Sequence, residues 1–456
     1  MYKKILIASL ALIAGLASCK KDDPTPSPNP PSALTIDGVA SNLEFYQLDT
    51  AHLSVAGVAK DAAAKAVWAV NGAKAAEGAT FDFTTAHPGK YEVTLTVDGK
   101  SAKHTYTVAP RFSEGAFLLN EGNSGNETGS LTYIHPSKKL VIDQAYFHIN
   151  GTKLGNVCQD LAFGNDQIYI LSQLGPKNGG EGLLTIARSN SLEKVKVYND
   201  EALAQSTPTH IAVLRDHTYI RTERDGILRG SSEGGFTPIT GTKKALKQRM
   251  AQIGERLFAL TSDSKVLMIQ GTQVVRELDL SPAKPSGIAV SHDGKLWVST
   301  TSPNAILKVD PTPDNFVAID THILDKSISA TGPQSWERTT SSAFFAHGDK
   351  LYFTGQSSVI YCHDFATSKT SQVIDVKTID GVGTSANKYY NSLGVDPATG
   401  ELYYAAFEDY GTYNKKNVTM VLKADGTKLL LKEQVNSFPA GFYFIPNAAS
   451  RTGANR

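Results

Sequence analysis

Pro285–Ser299 reads PSGIAVSHDGKLWVS. Ile288 and Val290 mark a short apolar strand, His292-Asp293-Gly294 a tight turn, and Leu296-Trp297-Val298 a second strand. Asp-Gly between two alternating runs predicts a hairpin whose two central turn residues both take positive φ. The same pattern recurs along most of the chain, so the fold follows from what many copies of one hairpin can build.

The first strand and turn of the unit recur over Gln159–Asp166, Thr209–Asp216, Arg249–Glu255, Ser286–Gly294, Ser342–Asp349 and Asn391–Gly400. A second strand carrying an aromatic follows each, at Tyr169, Tyr219, Phe258, Trp297, Tyr352 and Tyr403. Another hairpin completes every unit, at a spacing of roughly 37–56 residues, which means a propeller or an array. A seventh unit is split. Ala440–Phe444 supplies an innermost strand, while Ala116–Leu119 and Ser130–Asp143 supply outer strands that lack one. Pairing the tail with the start closes a ring and leaves no open edge. The expectation is an all-β chain: a seven-bladed β-propeller over residues 111–446, preceded by a small β-sandwich over 33–110 and followed by a tail, 447–456.

Composition agrees with the all-β class and removes one partner. The 456 residues carry 45 basic and 44 acidic side chains, a net charge of +1. That balance leaves no basic stripe of the kind nucleic-acid binding needs.

The N-terminus points outward from the cytoplasm. Met1–Ser18 joins Lys3-Lys4 to the apolar run Ile5–Leu16, the anatomy of a removable secretion leader. Leu16-Ala17-Ser18-Cys19 resembles the lipobox of bacterial lipoproteins, which implies an acylated Cys19 and anchorage in the outer membrane. Lys20-Lys21-Asp22-Asp23 resembles the export tag of surface-exposed Bacteroidetes lipoproteins, and Pro24–Ser32 reads as an extended Pro-rich spacer within the linker 19–32. Within 33–110, turns at Asn71-Gly72, Pro88-Gly89 and Asp98-Gly99 separate short strands; the run Phe81–Val97, with Trp68 on an earlier strand, resembles PKD/immunoglobulin-like modules. Asp49-Thr50-Ala51 matches a short acceptor pattern for bacterial O-glycosylation at Thr50. Cys158 and Cys362 each sit in an apolar strand and read as buried small hydrophobes.

Loops longer than a turn requires gather where propellers normally bind ligands. They carry Asn120, Glu121 and Asn123 in the first unit, Arg221 and Arg224 in the third, and Tyr410 and Tyr413 in the last. Connections between units add Trp336 and Arg338, and Tyr389 and Tyr390; Gln159 and Asp160 open an inner strand. Aromatics, amides and a few charges suit a large amphipathic ligand. No catalytic residue or metal ligand stands out: there is no HExxH, nucleophile elbow, paired-cysteine pattern or GxGxxG.

GAFLLNEGNSGNETGSLTYI (115–134) and INGTKLGNVCQDLAFGNDQIYIL (149–171) are similar to the opening blades of the YncE-like surface propeller lipoproteins of Bacteroidetes, which include BtuG-type cobalamin-capturing proteins. Asn120-Glu121-Gly122, Leu154-Gly155 and Gln159-Asp160 carry the likeness. It implies a non-enzymatic cell-surface protein that captures a corrinoid, haem, siderophore or other metal chelate and passes it to a TonB-dependent outer-membrane transporter. It implies no cofactor beyond such a ligand. The alternatives are a lactonase-like propeller hydrolase and a surface adhesion or scaffold module.

Overall fold

The hairpin at 285–299 forms, with a different turn. Lys284–Val290 and Leu296–Thr301 pair antiparallel, with Ile288 opposite Val298 and Ala289 opposite Trp297. Ser291 N–H donates to Lys295 O at 2.8 Å and Gly294 N–H to Ser291 O at 3.1 Å. Of the Asp-Gly pair only Gly294 has positive φ, +75°. The expected pair of left-handed residues is therefore corrected: a type I turn ending in one left-handed glycine does the same work when the loop is longer than two residues. Asp293 stays right-handed and meets Lys308 Nζ at 2.7 Å.

In this computed structural model, residues 33–39, 44–215, 217–231, 235–328, 342–355, 357–389 and 391–446 are described. Cys19 with its leader, the linker to Ser32, Trp336, Arg338, Tyr390 and the tail 447–456 lie outside the described residues. Among the described residues, seven four-stranded sheets follow one another along the chain. Six take their strands in sequence order, as in Asn156–Gly164, Gln167–Gly175, Leu184–Arg188 and Lys194–Tyr198. The other is composite: Pro439–Phe444 pairs antiparallel with Ala116–Asn120, placing Phe442 opposite Leu118 and Tyr443 opposite Phe117. The split unit read from the sequence is thus one sheet, and the fold is a β-propeller.

Packing explains the short apolar runs within the second strands. Leu296–Ser299 is buried along its whole length, as expected for a strand covered on both faces. Trp297 is fully buried, 4.5 Å from the Phe365 ring. Outer strands such as Val317–Ile323 are exposed almost throughout. Neighbouring sheets approach so closely at their inner strands that only glycine fits at some points. A Cβ on Gly394 would lie 2.5 Å from Phe442 Cβ. Cys158 and Cys362 are free and buried, and burial pushes both thiols up from their ordinary range.

The described residues divide into two compact units, the first comprising 33–39, 51–83 and 91–106, the second 44–50, 84–90 and residues between 107 and 446. The boundary therefore interleaves, where a single break near residue 110 was expected. The first unit centres on Trp68, whose ring lies 5.6 Å from Phe81 and whose Nε1 donates to Gly78 O at 2.9 Å. Phe83 stacks on Tyr106 at 4.8 Å. In the second unit, segment 44–50 is held by buried Gln47, which donates to Ala86 O at 2.6 Å and Ser191 O at 3.1 Å and accepts from Arg111 N–H at 3.1 Å. Arg111 also pairs with Asp49.

Candidate functional site

The connection Gln434–Pro439, which leads into the closing strand, is built from buried carboxamides. Asn417 Nδ2 donates to Tyr413 O at 2.8 Å and Asn436 O at 2.9 Å, while its Oδ1 accepts from Val435 N–H at 3.1 Å. Asn436 Nδ2 reaches Val418 O and Thr419 Oγ1 at 3.2 and 3.0 Å. Asn120 Oδ1 accepts from Ser437 N–H at 3.1 Å, and Asn391 Nδ2 donates to Pro439 O at 2.6 Å. An amide offers both donors and an acceptor, so one side chain can satisfy an irregular backbone that a ladder cannot. Asn120 is fully buried and acts here as a brace. It was expected at the ligand surface; its amide is consumed by the closure.

This connection brings the first and last long loops together. Tyr413 O–H donates to Glu127 Oε2 at 2.8 Å across 286 positions of sequence. Burial, then that carboxylate, pushes the Tyr413 phenol up to about 12. Phe438 stacks on Tyr413 at 4.0 Å and on Tyr410 at 5.9 Å, and Phe407 meets Tyr410 edge-on at 5.4 Å. Lys388 Nζ lies 5.5 Å from the Tyr410 ring centre. Tyr413 is buried beneath the group, whereas Tyr410 is half-buried and presents an aromatic face beside a cation. Tyr389, also half-buried, carries Lys377 Nζ at 5.7 Å.

Asn123 closes the first loop on itself, its Oδ1 accepting from Gly125 N–H at 2.8 Å. Its carbonyl accepts from Asn156 Nδ2 at 3.1 Å. Glu121 N–H donates to Phe438 O at 2.7 Å and Glu121 O accepts from Cys158 N–H at 3.2 Å. Asn120, Glu121, Asn123, Gln159, Asp160, Tyr410 and Tyr413 thus belong to one neighbourhood.

Asp160 is the most charged point inside it. The carboxylate is 2 % exposed; Oδ1 accepts from Tyr443 O–H at 2.7 Å, and Oδ2 from Ile211 N–H at 2.9 Å. Arg249 Nε stands 3.3 Å from Oδ1, and the guanidinium lies 4.1 Å over the Tyr443 ring. Burial pushes Asp160 up despite these partners, and it pushes the Tyr443 phenol well above its ordinary value. The group ties the inner strands Asn156–Gly164, Pro208–Leu214 and Pro439–Phe444 to Arg249, so Asp160 is a cross-ring anchor. Neighbouring Gln159 is equally buried.

Arg221 is spent on structure. Its guanidinium donates to Ala245 O at 3.0 and 3.1 Å and to Thr209 Oγ1 at 3.1 Å, and it pairs with Glu223 at 3.2 Å. Arg224 is exposed on the adjacent turn. His210 is fully buried against Thr209. The important residues passed over were Glu127, Phe438, Arg249 and Tyr443. Arg249 and Tyr443 stood at inner-strand positions where a charge or phenol is conspicuous; Glu127 and Phe438 gave no signal of their own.

Beside the aromatic group lies a cavity of about 300 Å³ lined by 126–131, Asp143, Gln144, Tyr146, Phe147, Lys153, Leu154, Asn414, Gln434, Asn436 and Ser437. Among the described residues, no three His, Cys, Asp or Glu side chains gather as a metal site would require.

Residues 114–446 match the family described as "Domain of unknown function (DUF5074)". Among solved structures, the chain is similar to a quinonprotein alcohol dehydrogenase-like protein from Bacteroides thetaiotaomicron, with a TM-score of 0.57, 16 % identity, and coverage of 91 % of this chain and 97 % of that one. A functionally unknown protein from Desulfotomaculum acetoxidans gives a TM-score of 0.48 at 12 % identity over 73 % of this chain and 99 % of its own. BamB from Moraxella catarrhalis gives 0.41 at 10 % identity, over 72 % and 85 %. No curated protein matches the chain in sequence.

Proposed function

We propose that this chain, which belongs to the DUF5074 family, is a cell-surface capture protein of the YncE-like, BtuG-like kind. It is anchored in the outer membrane through lipidated Cys19. It holds a corrinoid or another metal chelate, such as haem or a siderophore, on the rim formed by its first and last long loops. From there the ligand passes to a TonB-dependent transporter. The observation that carries this reading is the meeting of Glu127 with Tyr413 and Phe438, which sets a half-buried Tyr410 and Lys388 at the surface of a braced rim. Flat, charged chelates stack on such a face and pair with such a cation. The lipobox and the export tag support the location.

Titrating the purified protein with cobalamins, haem and ferric siderophores tests the capture reading. Saturable binding at micromolar concentration, weakened by Tyr410→Ala, is the expected result; no binding to any of the three classes overturns it. Cys19→Ala is expected to abolish acylation and release the protein from the membrane fraction.

A further inference from the structure

We propose that the cavity beside the rim is a binding site for a neutral, hydroxyl-rich ring, a saccharide unit of one or two sugars. Its walls decide the chemistry. Asn126, Gln144, Asn414 and Gln434 are exposed at this cavity, and none of their carboxamides has a hydrogen-bond partner among the described residues. Four free amides converging on one space present donors and acceptors together, which is what a hydroxyl group, itself both, can match. An apolar occupant would strip water from these groups and return nothing.

Charge narrows the class further. Two carboxylates, Glu127 and Asp143, face one lysine, Lys153, so an anion finds more repulsion than attraction. Each carboxylate is already partly used, Glu127 by Tyr413 and Asp143 by the backbone N–H of Gln144 at 2.8 Å. What they retain is acceptor capacity for a hydroxyl. Phe147, on the short helix Ala145–Asn150, is 39 % exposed at the same cavity. An exposed ring beside amides offers the apolar face of a sugar a surface to lie on. The volume, about 300 Å³, is at the small end of ligand pockets and suits one or two rings.

The backbone supports a shaped site. Gln144 and Gln434 both lie in the left-handed region, with φ of +48° and +58°. A long side chain there carries a conformational cost, and such residues persist where the surroundings hold them in place. Both are on this wall. The site stands on its own lining and does not depend on what the Tyr410 face holds.

Saturation-transfer NMR with the full-length protein and a panel of neutral disaccharides (maltose, lactose, cellobiose, mannobiose), followed by calorimetry, tests it. At least one is expected to bind, with affinity reduced about tenfold or more by Phe147→Ala and by Gln144→Ala, at unchanged melting temperature and with little effect of about 0.5 M salt. Three results each overturn the proposal: no panel member binding, binding that both variants leave intact, or binding that salt abolishes. Chelate binding that survives Phe147→Ala and Gln144→Ala, with no saccharide bound, removes this site and leaves the capture reading standing.

Discussion

Arg249→Met should expose what holds the inner strands together. Asp160 is 2 % exposed and keeps three partners: Tyr443 at 2.7 Å, Ile211 N–H at 2.9 Å and Arg249 at 3.3 Å. Removing the cation leaves a buried carboxylate with two hydrogen bonds and no counter-charge. Breaking a buried pair from one side costs about 3–5 kcal/mol, and the two surviving hydrogen bonds place this case near the lower end. Loss of the guanidinium over Tyr443 adds about 1 kcal/mol. The sign with pH follows from burial, which raises Asp160 above its ordinary range. Without Arg249 it rises further, so the folded variant takes up a proton more readily than the unfolded chain. The penalty is therefore largest at high pH and shrinks as pH falls toward the ordinary carboxylate range. Asp160→Asn in the same background removes the stranded charge and should recover about 2 kcal/mol. The assay is urea unfolding read by tryptophan fluorescence in a Trp68→Phe background, which places the signal in the unit containing Trp297. A loss below about 1 kcal/mol, a pH-independent loss, or a double variant that simply adds the two costs would refute the anchor.

Three further outcomes follow from the packing. Gly394→Val, whose side chain would start 2.5 Å from Phe442 Cβ, should cost about 1–3 kcal/mol or more in the same urea assay; the exposed-turn control Gly294→Asn, at φ +75° with open space around it, should cost much less. His363 is buried with Nε2 3.0 Å from His322 Nδ1, and burial first, then His322, lowers its basicity against the small opposing pull of Asp364. Stability should thus be present above the ordinary histidine range and fall as pH drops through and below it, by at most about 1.4 kcal/mol per pH unit; His363→Gln should flatten that slope between pH values of about 7 and 5. Tyr413, held up to about 12, should remain un-ionised when exposed tyrosines titrate. Spectrophotometric titration up to pH of about 11 should therefore not distinguish Tyr413→Phe from the parent, while urea unfolding records the loss of about 1 kcal/mol for the Glu127 hydrogen bond.

The repeat was legible because a strand buried on both faces draws apolar residues at consecutive positions, as Leu296-Trp297-Val298 does. The tail strand could be assigned to the unit begun at Ala116 because an unpaired edge is costly wherever it falls. Hairpin turn type was less legible, since Asp-Gly serves a two-residue loop and a longer one alike. Site residues were legible as a neighbourhood and not as roles. Asn120, Asp160 and Arg221 look from the sequence like groups waiting for a ligand, and the structure spends each on the protein's own backbone and charges.

Local composition alone determined strand periodicity, the ring of similar hairpins and the buried state of Cys158 and Cys362, because each depends on short-range pattern and hydrophobic burial. Which polar side chains remain free was decided only by the tertiary structure. Asn417 and Asn414 are the same residue three positions apart, one locked by four backbone groups and the other open at a cavity. Asn417 is held by the carbonyl of Tyr413 and by the returning connection at Val435 and Asn436, whereas Asn414 faces a cavity walled by residues between Asn126 and Leu154 that only folding brings beside it; residue type alone does not separate the two.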